Sequence, residues 1–154
     1  MPGLKIGQQR HHLYYLIKGS IKAYYISNDK KIIDWFVFEN EFITSSTSYF
    51  TNEPSLHFIE TMEDCIILKT KKSNVELLCK NHHDFEHLFR LILSKVIVQF
   101  RHRIVSLQFK TVKQRYKSLV KLYPQIELTV PLGDIASFLG ITQETLSRIR
   151  ALKE

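Results

Sequence analysis

Cysteine is scarce: Cys65 and Cys79 are the only two in 154 residues. Two thiols cannot build a disulfide scaffold, and within one chain they cannot ligate an iron–sulfur cluster or an all-cysteine metal site. Long apolar runs are missing too; nothing approaches the ~20 residues needed to span a bilayer. The start Met1-Pro2-Gly3-Leu4-Lys5 has no signal-peptide apolar region. Glycine is rare, with five residues in all, and no glycine-rich loop that could cradle a phosphate is present. No nucleophile–base motif appears. These absences leave no candidate for a membrane-spanning helix and no enzyme signature. The expectation is a reduced, cytoplasmic, non-enzymatic protein without membrane partner, cofactor or metal.

Acidic residues are short in the second half only. Residues 1–89 carry 10 Lys+Arg and 11 Asp+Glu, net −1, whereas residues 90–154 carry 12 and 4, net +8. The whole formal charge of +7 therefore comes from the last 65 residues. A basic half beside a neutral one points to a polyanionic partner or a solvated basic surface, and charge alone does not choose.

The first half reads as strands. Leu13-Tyr14-Tyr15-Leu16-Ile17, Ile21 to Ile26 and Ile32 to Phe38 are β-branched and aromatic, separated by Lys18-Gly19-Ser20 and Ser27-Asn28-Asp29-Lys30. Residues 57–62 and 65–70 repeat the pattern around Glu63-Asp64, so an antiparallel meander is expected. Trp35, Phe36 and Phe38 read as core, and Cys65 as an inert thiol. The connection between Glu39 and Ser55 is long for a hairpin, a length that tends to carry function or a short helix.

The period then changes. Phe85, Leu88, Phe89, Ile92, Val96, Phe100 and Ile104 fall at helical spacing, with Leu91, Leu93 and Ile97 as a second stripe. A helix over about 84–107 with two apolar stripes fits a dimer seam, or burial by its own domain. Thr111-Val112-Lys113-Gln114 fits a capping box for a further helix, which Pro124 ends. His82, His83 and His87 lie at the start of the 84–107 helix but lack the three or four ligands of a zinc site.

The most specific pattern is Pro131 to Arg150. Leu132, Ile135, Ala136 and Leu139 make one helix face, Gly140 suits a left-handed stop, and Thr142 suits the N-cap of a second helix held by Leu146 and Ile149. Small Ala136 lets the helices cross closely. This is the spacing of a helix-turn-helix, whose second helix enters the major groove of DNA.

With these residues in hand, the C-terminal segment resembles the helix-turn-helix of the Crp/Fnr family of bacterial transcription regulators. Phe38-Glu39-Asn40-Glu41-Phe42-Ile43-Thr44-Ser45 and Ile59-Glu60-Thr61-Met62-Glu63-Asp64 are similar to the branch common in Bacteroidetes-type bacteria. The resemblance implies an α+β fold in three parts. These are an antiparallel β-roll (a double-stranded β-helix like cyclic-nucleotide-binding domains, residues 1–83), a long dimerisation helix (84–109) and a helix-turn-helix domain (110–154). It implies a homodimer that reads double-stranded DNA through Thr142, Gln143, Glu144, Ser147 and Arg148, with Arg150 and Lys153 nearer the backbone. Base chemistry suits these types: Gln143 to adenine, Glu144 to cytosine N4, Arg148 to guanine O6/N7. The family's nucleotide pocket has a Gly-Glu pair and a phosphate-holding Arg. Here Asn40 precedes Glu41 and Pro54 falls near the Arg position, which argues against cyclic AMP and leaves any small-molecule effector unknown. Measured against the family, the sequence is expected to be N-terminally short and to leave no room for a β-wing after the second helix. The alternative is a β-roll module that binds a ligand or a protein and no operator.

Overall fold

Six strands form among residues 11–54 and 56–151, the part of the chain that the computed structural model describes. They are β1 (His12–Lys18), β2 (Ile21–Ser27), β3 (Lys30–Val37), β4 (Glu41–Ile43), β5 (Phe58–Thr61) and β6 (Ile66–Lys71), with a short helix α1 (Ser46–Thr51) between β4 and β5. The expected meander is not what they make. Two antiparallel three-stranded sheets form instead, ordered β4-β1-β6 and β3-β2-β5. Only β2 and β3 are a true hairpin, closed by Asn28 and Asp29 at φ 49° and 60°, conformations that these two residue types tolerate. Between β1 and β2 the chain passes from one sheet to the other. Gly19 makes that step at φ 101°, and a Cβ there would sit 2.6 Å from the Cys65 sulfur.

The two sheets bury Tyr14, Leu16, Ile21, Ala23, Val37, Ile43 and Ile59 between them, with Trp35, Cys65 and Ile67 partly buried against this core. Phe36 and Phe38 are buried as well. Cys65 stands just ahead of β6, and burial pushes its thiol above the ordinary value. A bulge at Asp34 interrupts the β2–β3 register, so that Ala23 faces Trp35 and Tyr24 faces Ile33. The Asp34 carboxylate lies 2.9 Å from Nε2 of buried His57.

Among the described residues, those up to Lys72 and those from Gln125 onward form one compact unit, and residues 73–124 another. In the first, the chain resumes after the roll with α5 (Ile126–Thr129), α6 (Leu132–Leu139) and α7 (Gln143–Ala151). The second unit holds most of α2 (Lys72–Asn81), all of α3 (His83–Phe109) and all of α4 (Val112–Leu122). Helix α2 was not foreseen in the sequence. The capping box of α4 is present in full: Gln114 N–H donates to Thr111 Oγ1 at 3.3 Å, and Thr111 N–H donates to Gln114 Oε1 at 2.9 Å. Tyr116 and Leu119 are the buried residues of that helix. Helix α3 runs for 27 residues and buries none of them. Its apolar residues Leu88, Leu91, Ile97, Phe100 and Ile104 are all exposed.

Candidate nucleic-acid interface

Helices α6 and α7 are joined by a turn whose geometry follows from three residues. Gly140 takes φ 70°, Ile141 N–H donates to Ala136 O, and Gly140 N–H donates to Ser137 O, the paired bonds that end a helix through a left-handed residue. Thr142 then starts α7, its hydroxyl accepting from Thr145 N–H at 3.2 Å. Ile135, Ala136, Leu139 and Leu146 are all buried, forming the seam that fixes one helix on the other.

What α7 turns outward is polar. Thr142, Gln143, Glu144, Ser147 and Arg148 are all exposed, and the last four share the outer side of the helix. Glu144 and Arg148 lie 3.7 Å apart with side chains 82% and 70% exposed, a solvated pair that either can leave cheaply. Gln143 sits close over α6: its Oε1 would be 3.3 Å from a Cβ at Gly133. Arg150 behaves differently, its Nε lying 3.5 Å from Glu127 of α5, which ties it back to its own unit. Lys153 lies outside the described residues. In the other unit, Lys113, Lys117 and Lys121 are exposed along one side of α4.

A second set of contacts was not foreseen. The opposite side of α6 lies on the sheet β3-β2-β5. Phe138 packs on Phe36 with ring centroids 5.1 Å apart. The Ser137 hydroxyl accepts from Ile33 N–H and donates to Lys31 O, both at 3.0 Å, taking two backbone groups on the open edge of β3 as a neighbouring strand would. Asp134 receives the Lys22 ammonium at 2.7 Å. Lys22 is almost buried and also lies 3.7 Å from Glu60. Burial alone would raise the Glu60 carboxyl. Hydrogen bonds from Tyr24 and Lys31 and the charges of Lys22 and Lys31 outweigh it and hold Glu60 below its ordinary value. Burial, then the hydrogen bond to Glu60, pushes the Tyr24 hydroxyl up to about 12. The hint in the sequence was Phe138, an aromatic off the inward stripe of α6.

Near the β3–β4 turn, Asn40 takes φ 65° and its Oδ1 accepts from the Tyr15 hydroxyl at 3.0 Å. It thus holds the left-handed conformation that a glycine would supply. The Glu41 carboxylate accepts from Phe38 N–H at 3.0 Å, so it serves the turn itself. His83 lies 3.8 Å from Glu86, and His87 2.8 Å from Arg90. No group of three His, Cys, Asp or Glu among the described residues could hold a metal ion. No helix among them is long and apolar enough to cross a membrane.

Comparison with known proteins now places the chain. Residues 4–82 match the cyclic nucleotide-binding domain, and the chain belongs to that family. Among solved structures it is similar to FixK2 from Bradyrhizobium japonicum, with TM-score 0.80, 17% identity, and coverage of 98% of this chain and 80% of that one. It is similar also to CLP, the c-di-GMP-responsive global regulator of Xanthomonas campestris (TM-score 0.71, 19% identity, 99% and 83% covered). A CRP-family transcriptional regulator of Thermus thermophilus is a third, with TM-score 0.76, 15% identity, and 97% and 80% covered. At such identities the likeness establishes a shared fold. No curated protein matches the sequence.

Proposed function

We propose that the protein is a sequence-specific, DNA-binding transcription regulator of the Crp/Fnr type, from the Bacteroidetes-type branch, that acts in the cytoplasm as a homodimer. The observation that carries this reading is α7 itself. Its exposed residues Gln143, Glu144, Ser147 and Arg148 are polar and of the types that read base edges, while Leu146 and the Gly140 turn hold it firmly on α6. In this reading the α6–α7 pair is a helix-turn-helix. Arg148 takes guanine, Gln143 adenine and Glu144 cytosine, and Ser147 hydrogen-bonds a base edge. Thr142 contacts phosphate while capping the helix, and Arg150 keeps to the backbone side.

Functionally, residues 1–83 form the sensor, 84–109 the pairing helix and 110–154 the DNA-binding part. The bare apolar length of α3 supports the dimer, since a second copy would cover what the chain leaves exposed. A dimer carries two α7 helices, and dimeric readers of this kind take half-sites ~34 Å apart. The lysines of α4 supply phosphate neutralisation. A small effector held by the roll shifts the population of binding-competent molecules. The Glu41 carboxylate already serves its own turn, and Pro54 falls in the sequence near the position of the family's phosphate-holding Arg, which argues against cyclic AMP as that effector.

Titrating duplex binding with salt tests the electrostatic half of this reading. Neutralising four or more phosphates gives a slope of about −3.6 or steeper in log K against log salt. A flat response, or no binding to any duplex, favours instead a β-roll module that binds a ligand or a protein.

A further inference from the structure

The face of α6 that meets the roll does more than bury area. Asp134, Ser137 and Phe138 are spaced i, i+3 and i+4, so one side of one helical turn carries an ion pair, a two-way backbone clamp and an aromatic contact. Each meets a different part of the sheet: Lys22 on β2, the edge of β3 at Lys31 and Ile33, and Phe36 further along β3. Three non-collinear attachments fix a helix in rotation as well as in position. With α6 so held, the outer side of α7 remains exposed. The seated pose is thus one in which the candidate reading residues face solvent.

We propose that Lys22, Asp134 and Ser137 are positioning residues that lock the α6–α7 pair to the edge of the β-roll and thereby set the pose in which a dimer presents its two reading helices. The inference rests on the DNA-binding reading above and adds the element that couples roll to reader. Ser137 is central, because its single hydroxyl satisfies an N–H and a C=O that β2 does not reach. Lys22 joins the seat to the roll's own charge network, through Glu60 to Tyr24 and Lys31. A change in the roll that moves β2 or β5 therefore alters the seat directly.

The test compares a full palindrome, selected by the wild-type protein, with one isolated half-site. A single reading helix meets a half-site in any pose, whereas a full site requires both helices at fixed separation. The Asp134→Ala/Ser137→Ala variant is expected to lose tenfold or more in full-site affinity and to accept altered half-site spacings. Its half-site affinity stays within twofold. Ser137→Thr, which keeps the hydroxyl, retains wild-type behaviour. Equal losses on both sites in a folded variant, or unchanged full-site affinity and spacing, overturn the positioning role. If the double variant does not fold, Ser137→Ala alone carries the same comparison. A wild-type protein that selects no duplex overturns the DNA-binding reading, and the positioning role with it.

Discussion

Replacing Arg148 separates the chemistry of α7 from its stability. In the structure Arg148 meets Glu144 at 3.7 Å with both side chains mostly in water. Such a pair is screened and contributes at most about 0.5 kcal/mol, and alanine is the better helix former. Arg148→Ala should therefore leave the urea midpoint within experimental scatter of wild type. A bidentate contact to guanine, by contrast, discriminates by about 1–3 kcal/mol, which corresponds to about 5- to 150-fold in affinity for the preferred duplex. Arg148→Lys refines the comparison, because it keeps the charge and loses the planar fork. The lysine variant should hold its affinity for random-sequence DNA and its salt slope while losing selectivity at one base pair. Fluorescence anisotropy at fixed salt, with duplexes altered one pair at a time, reads all three quantities. A uniform loss across sequences with the slope reduced by about one would make Arg148 a phosphate contact. Unchanged binding in both variants would remove it from the interface altogether.

Three further outcomes follow from the fold. Gly19→Ala must place a Cβ 2.6 Å from the Cys65 sulfur and 3.0 Å from a backbone oxygen at positive φ, so a loss of about 2 kcal/mol or more is expected by urea titration. Ile97→Asp combined with Ile104→Asp should leave the chain folded, since both side chains are exposed within it, yet halve the mass in sedimentation equilibrium if α3 pairs two copies. The Glu60 carboxyl is held low, so its contribution is present above its unfolded value near 4.5 and disappears as pH falls through the folded value. Tyr24 has the opposite sign: its contribution is intact below pH 10.0 and disappears as pH rises through about 12. Glu60→Gln should flatten the acid limb of a stability–pH profile, and an unchanged limb would contradict the network drawn around Lys22.

The sequence was most readable where one residue type forces one geometry. Asn28-Asp29 forced the tight β2–β3 turn, Thr111 and Gln114 the capping box, and Gly140 with Thr142 the turn into α7. It was least readable where partners lie far apart along the chain. Nothing local tells that β1 and β2 belong to different sheets, because Gly19 permits a hairpin and a crossing equally well. Helix α2 escaped because Val75 is its only buried residue, too little to impose a period. The seat of α6 was invisible for the same reason: Lys22 and Asp134 are 112 positions apart, and each alone looks like an ordinary surface charge. The exposed residues of α7 were found because spacing from Gly140 and Leu146 determines which side of the helix faces out. Their partner in that exposed position is a matter for experiment.

The most direct measurement is selection of bound duplexes from a random pool by the purified protein, with the mass of the complex determined alongside. A homodimeric operator reader is expected to enrich a two-fold palindrome with half-sites about ten base pairs apart, bound by two copies of the chain. Enrichment of no sequence, with only weak and salt-labile binding, would contradict that reading.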